Sequence, residues 1–187
     1  MEKIFFTADT HFFHENAIKF DSRPWGSLQE MHKEMLRRWN NKVSNSDHVY
    51  ILGDFAWKTH PEAIKYLKEF HGNLHLIVGN HDSIGHKPYR DLFTSIKDYD
   101  QINVQLKDGT SRRCVLSHYY HPFYNGHRYG AIMLHGHSHV SQEANLEREI
   151  TAELNHKQGF DLKIFNVGCM YYNYAPVTLD EILENRE

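Results

Sequence analysis

The chain has 187 residues, 40% of them hydrophobic, and a net charge of −3 with histidine neutral. That length and apolar content suit one globular domain over 1–187 with a sizeable core, and no Pro/Gly/Ser-rich linker divides it. Lys and Arg are scattered apart from Arg37-Arg38 and Arg112-Arg113, which excludes long nucleic acid as an obligatory partner, and no apolar run approaches the ~20 residues of a membrane span.

In chain order, Lys3–Ala8 reads as a strand leading to the polar cluster Asp9-Thr10-His11. A helix is predicted from about Ser27, where Ser27 and Glu30 have capping-box spacing and Met31, Met35 and Trp39 share one face. The strand Val49–Leu52 leads to Gly53-Asp54, and a second helix is predicted near Thr59, with Thr59 and Glu62 as its capping pair. The strand Leu74–Val78 leads to Gly79-Asn80-His81-Asp82. Residues 100–106 and 111–117, joined by Lys107-Asp108-Gly109-Thr110, read as a hairpin that leads to His118. Ile132–Leu134 leads to Gly136-His137-Ser138-His139. A charged helical insert over 141–159, a strand at Lys163–Val167 and a C-terminal helix capped by Thr178 and Glu181 complete the pattern. The insert reads as a lid, a dimer contact or a solvated helix.

Five polar clusters thus follow apolar runs. A lone GD or GN pair is ordinarily a turn, and a lone HxH is weak. Acids and imidazoles that recur at one strand end after another are different, because such groups are costly to bury without partners. Carboxylate, amide and imidazole donors together suit transition metals, whereas Mg or Ca sites are built almost wholly of oxygen. Two cations about 3.5–4 Å apart can bind a phosphoryl group and acidify a water.

These blocks, D-x-H, GD, GNHD, H and GHSH in that order, resemble the signature of the calcineurin-like metallophosphoesterases. The later Phe165-Asn166-Val167-Gly168 and Pro176-Val177-Thr178-Leu179 resemble the closing segments of the family's small single-domain members. The resemblance implies an α/β fold of two packed mixed sheets flanked by helices, a four-layer sandwich. It implies two divalent transition-metal ions, Mn, Fe, Zn or Ni with Mn favoured. One would be held by Asp9, His11, Asp54 and His139, the other by Asp54, Asn80, His118 and His137, with Asp54 bridging. A metal-bridging hydroxide would attack phosphorus in line, and His81 would act as general acid, an effect commonly of about 10²–10⁴.

Around that centre, His14, Arg23, Asn125 and Arg128 are placed as substrate contacts, Arg23 as a clamp for a phosphate oxygen. Asp82 is placed beyond the ligands, orienting His81, binding a helix N-terminus or capping the turn, and His135 beside Gly136 as a ligand-supporting or core histidine. His32, His48, His60, His71, His86 and His156 stand among polar neighbours and are expected in solvent. Cys114 and Cys169 lack CxxC spacing and are expected as buried thiols. With no room for a cleavable signal before Asp9, a cytoplasmic protein is expected, as monomer or homodimer.

The favoured activity is hydrolysis of phosphodiesters or small organic phosphates, including nucleotides, since Gly53-Asp54-Phe55-Ala56-Trp57 departs from the GDxxDRG-like element of protein phosphatases. The alternatives are a nuclease acting on short or single-stranded nucleic acid, and a phosphoesterase fold reused as an interaction module. All seven ligand positions carry suitable side chains, which weighs against the module.

Overall fold

Alternation of apolar side chains decides the layers. In the computed structural model, which describes residues 2–57 and 59–185, the first sheet contains β1 (Ile4–Thr7), β2 (His48–Leu52), β3 (Asn73–Ile77) and β4 (Ser95–Lys97) in parallel, with β9 (Val177–Thr178) antiparallel to β1; its order is β4-β3-β2-β1-β9. The second sheet, β5-β6-β7-β8, pairs β5 (Tyr99–Gln105) antiparallel to β6 (Ser111–Ser117), then β7 (Ile132–His135) and β8 (Lys163–Asn166) parallel to it.

Successive strand residues point to opposite faces, so Phe6, Leu52 and Ile77 join Leu116, Ile132 and Leu134 of the second sheet in a core between the sheets. Phe5, Val49, Ile51, Leu74 and Leu76 face the other way, onto α2 (Leu28–Lys42) and α3 (Pro61–Leu67), through Met31, Met35, Trp39, Ile64 and Leu67. On the outer side of the second sheet, Val115 and Met133 pack with Tyr124 and Leu162, and Leu154 of α5 (Gln142–Gln158) rests on them. The two mixed sheets with outer helices are the α/β sandwich that the motifs implied.

The expected helix starts differ in one detail. Ser27 caps α2 by accepting from Glu30 N–H, but the Glu30 carboxylate reaches back to Gly26 N–H. The full box forms at Thr178, before α6 (Leu179–Glu184). For α3 the cap is His60, whose Nδ1 accepts from Ala63 N–H, not Thr59; Pro61 in the first turn needs no donor there and sets the start one residue later. Two short helices, α1 (Asn16–Phe20) and α4 (Lys87–Arg90), went unpredicted because neither is long enough to show a period. The 141–159 segment is the crossover helix that parallel β7 and β8 require.

His32 corrects an expectation of exposure. It lies buried under the Phe12-Phe13 loop, where its Nε2 accepts from Phe13 N–H at 2.9 Å. Burial pushes its imidazole down to about 4 from an ordinary 6.5. The unfolded chain therefore takes up a proton that the folded chain refuses. The contribution of His32 to stability is full above pH 6.5 and falls by on the order of 3 kcal/mol as pH drops towards 4. In His32→Gln, the pH slope of the denaturant-unfolding free energy over that window should shrink by about one proton; an unchanged slope would contradict this. His75 is likewise enclosed, stacked on Tyr50 at 4.5 Å and bonded to His48 and Ser95. Both cysteines are free and buried, their thiols pushed up to about 12 by burial. No helix among the described residues is long and apolar enough to cross a membrane.

Candidate metal centre

Strands β1, β2, β3, β6 and β7 run parallel within their sheets and release their polar clusters at carboxyl ends, the edge where open α/β sheets gather ligands. The clusters are then tied to one another by main-chain bonds. Asp9, His11 and Phe12 N–H donate to the carbonyls of Gly53, Asp54 and Phe55, and Gly136 N–H donates to His118 C=O. Two glycines permit this approach. A Cβ on Gly79 would stand 2.3 Å from Asp54 Oδ1, and one on Gly53 would stand 2.2 Å from His118 Nδ1.

The backbone is strained where it turns these groups together. Asp9, His11, Asp54, His137 and His139 all have φ between 49° and 72°, the left-handed region that side chains with a Cβ rarely occupy. Each such residue costs on the order of 1 kcal/mol or more and persists only where its surroundings impose it.

The side chains converge. His11 Nε2 lies 3.1 Å from His139 Nε2, and His118 Nε2 lies 3.0 Å from Asn80 Oδ1 and 3.2 Å from His137 Nδ1. Asp54 Oδ2 is 3.6 Å from His11 Nε2 and 3.7 Å from His118 Nε2, so it faces both groups, while its Oδ1 accepts from His81 N–H. Donor atoms of Asp9, His11 and His139 lie within 4.8 Å of one another, as do those of Asp9, Asp54 and His118.

Burial keeps two of the imidazoles neutral. Burial, then the charges of His139 and Arg23, hold His11 far below the ordinary imidazole range, and burial also lowers His137. A neutral imidazole keeps the lone pair that a cation would use. Burial pushes Asp9 up to about 6 against the pull of His139 and His118. Imidazole, carboxylate and amide donors packed this closely fit divalent transition metals.

The outer residues divide. The Asp82 carboxylate is taken up by main-chain and tyrosine donors and not by the His81 ring. Its Oδ2 accepts from Asp54 N–H and Gly79 N–H at 2.9 and 2.8 Å, and its Oδ1 from Phe55 N–H and Tyr89 O–H at 3.1 and 2.5 Å. It ties the β2 loop to the β3 loop. Asp82→Asn turns an amide N–H towards two of those donors and should cost about 2 kcal/mol in urea unfolding, the penalty of unpaired buried donors; an unchanged midpoint would contradict the role. His135 is buried, with its Nδ1 on Gly136 C=O. His14 stacks on Trp57 and lies 5.4 Å from the His11 ring.

Three expected substrate contacts are corrected. Arg23 is buried, and its guanidinium donates inward to Thr10 C=O, Asp9 C=O and Asp21, so no fork is left for phosphate. Asn125 and Arg128 lie on the crossover that returns the chain from the end of β6 to the start of β7. That path carries them off, Asn125 onto Gln101 at 2.8 Å and Arg128 over the Phe160 ring.

Two side chains near the ligands have partners that no motif points to. Asp21 Oδ1 lies 2.8 Å from His139 Nδ1, while its Oδ2 takes Arg23 at 2.7 Å. Burial resists protonation of His139, yet the Asp21 hydrogen bond and the charges of Asp9 and Asp21 raise it. Ser138, between His137 and His139, donates to Glu147 of α5 at 2.7 Å and accepts from Asn166 at 2.9 Å. A carboxylate two residues before an arginine was the one sequence signal for Asp21, and it is a common one.

A family model described as the calcineurin-like phosphoesterase superfamily domain matches residues 3–172. The chain is 32% identical to uncharacterized protein MJ1445 of Methanocaldococcus jannaschii, over 98% of this chain and 91% of that protein. It is 31% identical to the gene 66 protein of Mycobacterium phage D29, over 74% and 79% of the two. A protein of unknown function from Aquifex aeolicus, AQ665, shares the fold, with a TM-score of 0.64 at 21% identity over 98% of this chain and 99% of that one.

Proposed function

Because the chain belongs to the calcineurin-like phosphoesterase superfamily, a family of metal-dependent phosphoester hydrolases, we propose that it hydrolyses phosphodiesters or small organic phosphates, nucleotides among them, at a dinuclear centre. The observation that carries this reading is the position of Asp54, whose Oδ2 stands 3.6 and 3.7 Å from His11 and His118, imidazoles that follow strands of different sheets and belong to the two ligand groups. Asp9, His11, Asp54 and His139 would hold one cation and Asp54, Asn80, His118 and His137 the other, with Mn the first metal to try. Bound cations would neutralise phosphoryl charge and lower the pKa of an attacking water.

The protein's own groups then divide the work. Asp54 keeps a carboxylate between the two halves, and its Oδ1 fixes the His81 backbone. The His81 ring, 5.6 Å from that of His11 and only partly buried, stands at the mouth of the centre. From there a ring N–H protonates the departing oxygen. His81→Ala should keep both metals and lose about 10²–10⁴ in turnover on alkyl esters, with a much smaller loss on p-nitrophenyl esters, whose phenolate leaves without a proton. Equal losses on both would remove the acid role. The activity itself is tested by hydrolysis of bis-p-nitrophenyl phosphate against p-nitrophenyl phosphate, using metal-stripped protein with Mn, Ni, Zn, Fe or Mg restored. Metal-dependent diester cleavage supports the reading, and no turnover with any metal overturns it.

A further inference from the structure

Four rings run in unbroken contact along one rim of the centre. Phe20 lies 5.5 Å from His14, His14 lies 4.2 Å from Trp57 at an interplanar angle of 10°, and Trp57 lies 4.7 Å from His81. Phe20 also meets His11 and His139 edge-on, at 5.8 and 5.2 Å. Phe20 and Trp57 are nonetheless 49% and 41% exposed, whereas Trp25 and Trp39 are 7% and 2% exposed. Large rings left open beside a polar centre mark a contact surface more than a packing need. With Arg23 turned inward and no basic stripe in the chain, bound cations would carry the phosphate charge, and the remainder of the substrate would meet the open rings.

From this juxtaposition we infer that Trp57 is the platform for a nucleobase on the alcohol side of the scissile ester, so that the substrates are nucleoside phosphoesters: short oligonucleotides, dinucleotides or related nucleotide diesters. The side is set by His81. It supplies the proton to the departing oxygen, and Trp57 is the ring packed against it, so the departing nucleoside lies over the indole. Stacking on an aromatic ring tolerates any base and needs no phosphate track, which matches a chain of net charge −3. This inference rests on the hydrolase reading above and on the place given there to His81.

The test uses metal-loaded protein and a dinucleotide whose linking phosphate carries one sulfur, which slows its cleavage. Trp57 is the one tryptophan of the three with substantial exposure, so tryptophan emission reports on it. Saturable quenching by the dinucleotide, absent with dimethyl phosphate, is expected. Titration calorimetry should show binding about 5- to 150-fold weaker in Trp57→Leu, the worth of one base stacked on an aromatic side chain, and largely kept in Trp57→Phe. Metal content should be equal in all three proteins. Equal affinity of wild type and Trp57→Leu, or quenching matched by the ringless ester, would overturn the platform while leaving hydrolysis of bis-p-nitrophenyl phosphate intact. Quenching in a protein that cleaves no phosphoester with any metal would overturn the hydrolase reading and the leaving-group assignment together.

Discussion

Asp54→Asn should lower metal-dependent phosphoester hydrolysis at least about a thousand-fold, the scale on which a constellation that acts as a unit fails, and should leave the protein short of bound metal after dialysis. The substitution keeps the shape. An amide oxygen can still accept from His81 N–H as Oδ1 does now. What changes is the other atom, which becomes an N–H₂ donor aimed at His11 Nε2 and His118 Nε2, 3.6 and 3.7 Å away. A neutral amide can neither bridge two cations nor balance their charge. Activity and metal stoichiometry should therefore fall together, with the far-ultraviolet circular dichroism unaltered. Wild-type levels of both in the variant would show that the centre lies elsewhere.

Asp21→Asn is expected to do two separable things. The Asp21–Arg23 pair is sealed from solvent, with side-chain exposures of 1% and 0%, and Arg23 also carries the carbonyls of Asp9 and Thr10. Removing one member of a buried pair leaves the other charge uncompensated, and the expected loss in unfolding free energy is about 3–5 kcal/mol. The same carboxylate lies on His139 Nδ1, opposite the Nε2 that faces His11. It fixes which nitrogen keeps its lone pair, and partners of this kind typically alter metal affinity by 10- to 100-fold. Competition against a graded chelator, below the melting temperature of the variant, should show that weakening in the half-site of His139. A loss of stability with unchanged metal affinity would reduce Asp21 to a fold-holding role.

Much of this protein is legible in its sequence. The strand periods, the order of the five polar clusters, the Thr178 capping box and the two-sheet α/β class follow from local spacing, because period-2 alternation and cap geometry act over a few residues. Glycine at 53 and 79 has the same origin in chain chemistry, though its reason is spatial, the absence of room for a Cβ against His118 and Asp54.

Long-range pairing lay beyond that reading. Arg23 has the composition of a phosphate clamp, and only the packing of the Asp9 turn over it commits its guanidinium inward. Asn125 and Arg128 stand close in sequence to His118, yet parallel β6 and β7 force their loop away from the ligand edge. Asp21 reaches His139 across 118 residues, and Trp57 comes to rest on His14 and His81, contacts that no local spacing encodes. Local spacing is enough to show which side chains have the chemistry of ligands and which strand ends carry them. The tertiary structure alone decided which charges are buried against one another and which rings stay open at the rim, since burial and partner choice are properties of the packed layers, not of neighbours along the chain.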